Sequence, residues 1–277
     1  MIKAKKSLGQ NFLKSEIALR QIVEAGEIKR TDVVLEIGPG KGALTEKLLG
    51  SAGLVIAVEK DRELFSFLKE KFAQEIKSGA LALLNEDILE FNVSETFPKF
   101  FSGYPASQRH HSKNLETLHY KIIANIPYNI TGAILKKFLT EKHQPECMVL
   151  MVQHEVAKRI VARDKKESIL SISVKAYGEP KLIMKVAARY FSPAPKVDSA
   201  IIAIKNISRK FFKENNIKEE EFWEIVKTGF AHKRKKLSSN LKNLLKNSHS
   251  GENIPAKNLG NKRAEDLTLL DWLALTK

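Results

Sequence analysis

The sequence is poor in cysteine and has no long apolar run. Cys147 is its only cysteine, which excludes an internal disulfide. This residue opens the apolar segment 148–152, a position that favours a small buried thiol over a nucleophile. A membrane-spanning helix needs about 20 apolar residues, and no run in the chain approaches that length. The basic first residues lack an apolar signal core, so we expect a cytoplasmic protein.

Histidine is scarce as well, and acidic residues are outnumbered by basic ones. His110, His111 and His119 lie in a polar stretch without the spacing of a metal-ligand set, so no metal is expected. The 47 lysines and arginines exceed the 32 aspartates and glutamates, which gives a formal net charge of +15 and a pI near 9.7. This balance predicts a polyanionic partner, with nucleic acid favoured over an acidic membrane.

Short apolar segments alternate with helical patterns over most of the chain. Strands are predicted at 33–37, 55–58, 81–84, 122–124 and 148–152. Ser15 predicts the start of a helix that ends at Gly26, and Asp61 predicts the start of another that runs to about Phe72. Alternation of this kind indicates an α/β fold, with a parallel sheet covered on both faces. Ligands of such sheets bind beyond the carboxyl ends of the strands.

One interval, 97–119, interrupts this regular spacing. It contains a polar stretch with histidine, serine, lysine and asparagine. Connections in compact domains are typically about 4 to 6 residues long, so we expect an exposed, partly mobile insertion here. A solvated loop is favoured over an additional RNA contact.

The pattern becomes helical near Ile207, with helices predicted at 219–230, 237–245 and 266–275. We therefore expect a catalytic domain at 1–206 and a small, all-helical domain at 207–277. Between Glu224 and Glu252 the chain has no acidic residue, and the run Lys233, Arg234, Lys235 and Lys236 is its most basic part. A run of one charge sign is often only a solvated face, but at this length it favours phosphate contact.

A glycine-rich turn follows the first predicted strand, in the order Gly38, Gly40, Gly42. Glycines let the backbone turn tightly and come close to a ligand. The spacing is one residue short of the dinucleotide fingerprint, which argues against NAD or FAD. Glu36, at the end of that strand, is expected to hold the loop in place and not to take part in the chemistry.

Acidic residues follow the next two predicted strands. Glu59, with Lys60 beside it, is placed to accept hydrogen bonds from ribose hydroxyls. Asp87 is placed to bind the amino group of an adenine, with Ile88 against the ring, although Asp also commonly caps the next turn. An adenosine site that lacks a diphosphate cradle predicts S-adenosylmethionine as the cofactor.

The segment Asn125, Ile126, Pro127, Tyr128 follows the fourth predicted strand. An amide, a proline-fixed backbone and an aromatic ring can hold the edge and the face of an amino-bearing base, although these residues are also common in turns. Acceptance of hydrogen bonds from adenine N6 by Asn125 and the Ile126 carbonyl would favour a tetrahedral nitrogen, without a strong base. Phe191 is predicted to cover the other face of the base; its alternative is a core position.

Together these motifs resemble the ribosomal RNA adenine N6-dimethyltransferases, and among them the KsgA/RsmA branch. The matching segments, in chain order, are 9–13, 36–45, 125–130, 191–199, 230–236 and 263–267, with Glu59 and Asp87 between them. The likeness covers nearly the whole chain. It implies a Rossmann-like class I methyltransferase sheet with a small C-terminal helical domain.

The resemblance also implies roles for individual residues. Asn11 and Leu13 are expected to close over the cofactor, while Gly38, Gly40 and Glu59 hold its methionine and ribose parts. Asp87 contacts the adenine, and Asn125 borders both the cofactor and the target. The implied product is N6,N6-dimethyladenosine at two adjacent adenosines, in a hairpin near the 3′ end of 16S rRNA. The implied partner is an immature 30S-type subunit, bound by a monomer.

Two other functions stay open at this point. One is a dimethyltransferase of the antibiotic-resistance type, which acts on large-subunit rRNA; Pro39 and Asp198 favour the small-subunit branch. The other is a non-catalytic RNA-binding assembly factor, against which the intact cofactor loop and Asn125–Tyr128 argue. The sequence departs from the family pattern in the insertion before Tyr120 and at His154, where a basic residue is expected. Both departures concern RNA contacts and not the chemistry.

Overall fold

The computed structural model describes residues 2–101, 119–247 and 260–277. In chain order its strands and helices are β1 Phe12–Leu13, α1 Glu16–Ala25, β2 Val33–Ile37, α2 Ala43–Leu49, β3 Leu54–Val58, α3 Arg62–Lys71, α4 Ala73–Ser78, β4 Leu81–Leu84, α5 Val93–Phe101, β5 Lys121–Asn125, α6 Thr131–Thr140, β6 Cys147–Gln153, α7 His154–Val161, α8 Ile169–Lys175, β7 Glu179–Val186, β8 Phe191–Ser192, β9 Ser199–Lys205, α9 Lys210–Glu214, α10 Glu219–Gly229, α11 Leu237–Asn247 and α12 Leu269–Ala274. None of the helices in these ranges combines the length and the apolar character needed to cross a bilayer.

The main sheet has seven strands in the order β4-β3-β2-β5-β6-β9-β7. Strands β2 to β6 pair in parallel, and β9 runs antiparallel to β6. In the middle of the sheet Leu35 lies between Ile56 and Ile122, and all three side chains are fully buried. The α/β class expected from the sequence is therefore confirmed. The apolar runs are continuous because both faces of these strands are covered.

Local signals position the helices around the sheet. The Ser15 side chain accepts a hydrogen bond from the Ala18 backbone N–H at 3.3 Å, and the carboxylate of Asp61 accepts one from Glu63 at 3.0 Å. These bonds satisfy donors of the first turns of α1 and α3, as both caps predict. Cys147 is buried at the start of β6, and burial raises the pKa of its thiol to about 11. The expected buried thiol is confirmed.

A second sheet has only two strands, β1 and β8, which the sequence patterns do not predict. The strands are antiparallel, and Leu13 lies opposite Phe191. Each strand has two residues, too few to produce a periodic pattern. This small sheet ties the N-terminal segment to a part of the chain about 180 residues later, at the same edge of the molecule as the glycine turn.

The expectation of an exposed insertion at 97–119 is wrong for the first residues of this interval. Residues up to Phe101 continue α5, and Phe97 is fully buried. The Phe97 ring packs edge-to-face against Tyr120 at 4.9 Å and against Phe91 at 6.2 Å between centroids. Aromatic burial therefore outweighs the Pro98 signal inside the helix. Residues 102–118 lie outside the described part of the chain.

The chain divides into two compact units, residues 1–157 with 181–207 and residues 158–180 with 208–277. The second unit starts near the expected position of 207, but it also includes the earlier segment 158–180. Tyr177 explains this assignment, because its ring packs against Phe212 and Trp223 and its hydroxyl donates to Glu219. The functional division at 206/207 remains an expectation.

Candidate active site

A cavity of about 640 Å³ lies in the first unit, where β2, β3, β4 and β5 end. The carboxyl ends of parallel strands lie at the same edge of the sheet, so residues that are far apart in sequence converge here. The site residues predicted from the sequence that line this cavity are Asn11, Leu13, Gly38, Gly40, Glu59, Lys60, Asp87, Ile88, Asn125, Ile126, Pro127 and Tyr128. The structure therefore brings together every predicted cofactor residue and the whole Asn125–Tyr128 segment.

The glycine turn after β2 has the backbone geometry that only glycine adopts without strain. Gly38, Gly40 and Gly42 have φ angles of +65°, +61° and +81°. A Cβ atom at Gly38 would meet no atom within 4 Å, whereas one at Gly42 would lie 2.5 Å from the Phe72 ring. Gly38 thus leaves the cavity open to a ligand, and Gly42 lets α2 pack closely against α3.

Glu59 connects the glycine turn to the start of α3. Its two carboxylate oxygens accept hydrogen bonds from the backbone N–H groups of Gly40 at 3.1 Å and Asp61 at 2.9 Å. Glu59 is only 5% exposed, and burial raises the pKa of its carboxyl group. A carboxylate oxygen has further lone pairs, so the role expected at ribose hydroxyls is compatible with these two bonds.

Asp87 forms an ion pair with Lys60, with 2.6 Å between the carboxylate and the Nζ atom. The other carboxylate oxygen accepts a hydrogen bond from the Leu89 backbone N–H at 3.0 Å, which is the turn-capping contact expected as the alternative role of Asp87. The Lys60 partner lowers the pKa of the Asp87 carboxyl group. Asp87 therefore caps a turn and also lines the cavity, and Ile88 beside it is buried.

Glu36 is the most deeply buried acid of the site. It is 1% exposed and lines the cavity, and its Oε2 atom has no hydrogen-bond partner among the described residues. Burial, with a contribution from the nearby charge of Glu59, raises the pKa of the Glu36 carboxyl group to about 8. The buried Thr45 hydroxyl interacts with the same carboxyl group, and the Oε2 atom is left able to accept a further hydrogen bond.

The N-terminal strap, which we define as residues 5–13, lines one side of the cavity with its residues 7–13. Two side chains of the strap donate hydrogen bonds to the carboxylate of Asp61. The donor atoms are Lys5 Nζ, at 2.6 Å, and Gln10 Nε2, at 2.8 Å. The Asp61 side chain is almost completely buried and the Lys5 side chain is half-buried. The sequence indicates Asp61 only as a helix cap. Its contacts with Lys5 and Gln10 span 56 and 51 positions, and no sequence pattern links residues so far apart.

Asn125 and Tyr128 are each fixed by one side-chain contact. The Asn125 Nδ2 group donates to the Asn11 carbonyl at 3.1 Å, which leaves its Oδ1 atom as the acceptor. The Tyr128 hydroxyl and Ser199 Oγ lie 2.5 Å apart, and Ser199 is fully buried at the start of β9. Ser199 was missed as a site residue, although it ends the 191–199 segment. Ile126 is buried at 2% exposure and anchors the segment.

Phe191 occupies the core position that the sequence analysis gave as its alternative. It is 2% exposed, belongs to the cluster around Leu13 and Leu19, and is absent from the cavity lining. Its β8 neighbour Ser192 lines the cavity instead. The structure therefore does not bring the Phe191 ring together with Tyr128.

The basic run of the second unit lies between α10 and α11. Lys233, Arg234, Lys235 and Lys236 are all exposed, and none forms an ion pair within the described ranges. Leu237, directly after them, is fully buried and begins α11. The four charges are thus presented to solvent on a short connection between two packed helices.

The profile of the ribosomal RNA adenine dimethylase family matches residues 1–277. A relative from Dehalococcoides mccartyi strain CBDB1, the ribosomal RNA small subunit methyltransferase A, is 40% identical over 99% of this chain and 88% of its own length. The match extends through both compact units.

Solved structures agree with the fold. A dimethyladenosine transferase from Plasmodium falciparum superposes with a TM-score of 0.72 at 27% identity, covering 95% of each chain. The 23S rRNA methyltransferase ErmE gives a TM-score of 0.69 at 23% identity, over 96% of this chain and 98% of its own; this likeness concerns the fold alone. The fold is that of the class I methyltransferases. By sequence and by structure, the chain belongs to the ribosomal RNA adenine dimethylase family and is an rRNA adenine dimethyltransferase.

Proposed function

We propose that this enzyme uses S-adenosylmethionine to dimethylate N6 of two adjacent adenosines in the 3′-terminal hairpin of small-subunit rRNA, during subunit assembly. The name of the Dehalococcoides relative supports the small subunit as substrate. The geometry of Asn125 carries the proposal, because it presents an acceptor at the cavity where an adenine amine needs one.

The cavity fits the proposed cofactor. Gly38 leaves open space at the turn, Glu59 and Asp87 supply acceptors at successive strand ends, and the unpaired Glu36 oxygen suits a donor such as an ammonium group. When bound, S-adenosylmethionine supplies an electrophilic methyl group on a sulfonium. Asn11 and Leu13 of the N-terminal strap line the same cavity, and the Phe12 ring between them lies against the glycine turn at Gly40.

Asn125 acts by orientation. Because its Nδ2 group is held by the Asn11 carbonyl, its Oδ1 atom is left to accept a hydrogen bond from N6 of the adenine. A second bond from N6 to the Ile126 carbonyl would draw the nitrogen towards tetrahedral geometry and direct its lone pair at the methyl group. Correct placement of two reactants can supply about 7 to 11 kcal/mol of the barrier, so no strong base is required.

Tyr128 is positioned to stack on the extruded adenine. Its ring lines the cavity and its hydroxyl is fixed by Ser199, so the ring is ordered before the base arrives. Stacking on an aromatic ring contributes roughly 1 to 3 kcal/mol per base. The energy for taking the base out of its stack comes partly from this contact.

Asn125→Ala tests the central step. We expect methyl transfer to fall at least 100-fold, because the orienting acceptor is lost, while RNA affinity stays within about twofold. Turnover is measured with radiolabelled S-adenosylmethionine and immature small subunits, and affinity by filter binding. Unchanged turnover would remove Asn125 from the proposal.

The substrate is tested by mass spectrometry of methylated adenosines. The wild-type protein is incubated with immature small subunits and, separately, with large subunits that lack adenine methylation. We expect N6,N6-dimethyladenosine in the first sample alone. Modification of the large subunit would favour the antibiotic-resistance type of enzyme, and no product in either sample would contradict the proposed activity.

A further inference from the structure

The rim surface, defined as Lys14, Arg189 and Tyr190, lies beside the cavity and has no part in the function described above. Lys14 lines the cavity, and its backbone N–H donates to the Tyr190 carbonyl at 2.8 Å. Ser192, two residues after Tyr190, also lines the cavity. The rim surface therefore adjoins the pocket that contains Asn125.

The small β1–β8 sheet fixes the rim surface in this position. Leu13 and Phe191 are paired across this sheet and face the core, with exposures of 7% and 2%. Lys14 directly follows β1, and Tyr190 ends a short 3-10 helix directly before β8. Both residues are exposed. The buried pair fixes the backbone that carries Lys14 and Tyr190, next to Leu13 and Ser192 of the cavity lining.

The chemistry of the rim surface suits an unpaired nucleotide. The Arg189 guanidinium lies 5.2 Å from the centroid of the Tyr190 ring, and Tyr190 is 39% exposed. The nearby carboxylate of Asp198 is already engaged by Lys185 at 2.8 Å and by a backbone N–H at 3.0 Å. Neither Lys14 nor Arg189 forms an ion pair in the part of the chain that the structure describes.

An exposed aromatic ring with a guanidinium beside it is the kind of platform on which single-stranded RNA bases stack. A lysine beside it can contact the phosphate of the same nucleotide. The target adenosine must leave its stack to enter the cavity, and the nucleotide covalently joined to it then lies at the mouth.

We propose, resting on the function proposed above, that the rim surface binds the nucleotide adjoining the adenosine in the cavity. Its base stacks on Tyr190 and Arg189, and its phosphate contacts Lys14. For a pair of adjacent adenosines this nucleotide is the second target, so the rim surface holds one adenosine while the other is methylated.

The test uses a single-stranded RNA oligonucleotide in which 2-aminopurine follows an adenosine, because stacking quenches the fluorescence of this base. The variants are Tyr190→Ala, which removes the ring, and Tyr190→Phe, which keeps it. The matched control is Phe67→Ala on α3, since Phe67 is 37% exposed and lies outside the cavity lining.

We expect quenching with the wild-type protein, with Tyr190→Phe and with Phe67→Ala. Tyr190→Ala should lose the quenching and bind the oligonucleotide about 5- to 150-fold more weakly, the range that stacking of one base supplies. Lys14→Gln should reduce the slope of log affinity against log salt concentration by about 0.7, the value for one phosphate contact on a single strand.

Three results would overturn the proposal: full quenching with Tyr190→Ala, an equal loss with Phe67→Ala, or a loss with Tyr190→Phe as large as with Tyr190→Ala. The fluorescence measurement requires no methyl transfer. A failure of the proposed activity therefore appears in the mass spectra alone, and a failure of the rim surface appears in the fluorescence alone.

Discussion

Single residues of the site are held by one or two contacts each, and those contacts determine which atom faces the cavity. Ser199 is an example, because its hydroxyl contacts Tyr128 and is completely buried. Burial also raises the pKa of the Tyr128 hydroxyl, so this group stays protonated at neutral pH. The pair therefore orients the Tyr128 ring and does not carry charge.

This pair is tested by a double-mutant cycle. Ser199→Ala and Tyr128→Phe should each lower kcat about 2- to 10-fold, the value of one neutral hydrogen bond, and the double variant should be no worse than either single one. Tyr120→Phe is the matched control, since its buried hydroxyl donates to the His143 carbonyl at 2.9 Å, outside the cavity lining. Additive losses in the double variant would show that Ser199 does not act through Tyr128.

Glu36 makes stability depend on pH. Its folded-state pKa of about 8 lies above the ordinary value of 4.5, so the unfolded chain loses the proton first as the pH rises. Its stability contribution is therefore complete below pH 4.5 and is lost as the pH rises towards 8.

Glu36→Gln removes this titration. We expect the variant to be more stable than the wild type at pH 7, on the order of 1 to 3 kcal/mol, with a smaller difference at pH 5. Urea unfolding of both proteins at the two pH values measures the effect. A difference that does not grow with pH would mean that Glu36 ionises normally in the folded protein.

At the scale of elements, the N-terminal strap contacts residues of both the proposed cofactor site and the proposed target site. It holds Asp61 through Lys5 and Gln10, and through Asn11 it orients Asn125. Asp61 in turn donates its backbone N–H to Glu59, which binds the glycine turn. One wall of the cavity is thus connected to both proposed ligand sites by direct hydrogen bonds.

Lys5→Ala should loosen this strap without removing the Asp61 cap of α3. We expect affinity for S-adenosylmethionine to fall about 3- to 10-fold, because a hydrogen bond to a charged group is lost at a half-exposed position. Isothermal titration calorimetry measures the affinity, and amide exchange of residues 5–13 should accelerate in parallel. Lys47→Ala, which breaks the exposed Lys47–Glu16 ion pair, should change neither quantity. Wild-type affinity in Lys5→Ala would separate the strap from cofactor binding.

The sequence predicts the elements that carry a local signal. Strands β2 to β6 each contain at least three consecutive apolar residues, and α1 and α3 begin at capping residues, so both kinds of element can be predicted without a partner. β1 and β8 exist only because they pair with each other, and β7 alternates between exposed and half-buried positions along one edge of the sheet. β9, although apolar, follows a proline-rich stretch and is not among the predicted strands.

The site residues also divide into those that a local sequence signal predicts and those that depend on distant contacts. Gly38, Glu59, Asp87 and Asn125 follow successive strands, and the parallel topology alone brings them together. The contacts from Lys5 to Asp61 and from Tyr128 to Ser199 depend on side-chain packing between distant segments. Phe191 shows the reverse case, since an aromatic residue in a functional motif fills the core.

At the scale of the whole molecule, ion pairs neutralise the positive charges in some regions and not in others. Ion pairs neutralise several lysines of the first unit, among them Lys5, Lys47 and Lys60. The four basic residues at 233–236 are exposed and without an ion pair in the described ranges. Charges that are not neutralised by the protein remain available to release counterions from RNA, so this run is proposed as a phosphate contact.

Lys235→Gln with Lys236→Gln tests that proposal. Each lost phosphate contact should reduce the slope of log affinity against log salt concentration by about 0.7 to 0.9, the values for single strands and for B-form duplexes, so the double variant should lose up to about 1.8. The matched control, Lys69→Gln with Lys77→Gln, removes the same net charge from exposed positions on α3 and α4. If binding depended only on net charge, both double variants would reduce the slope equally, whereas local phosphate contact predicts a reduction in the first alone. Affinity for S-adenosylmethionine should stay unchanged in both, because none of these four lysines lines the cavity.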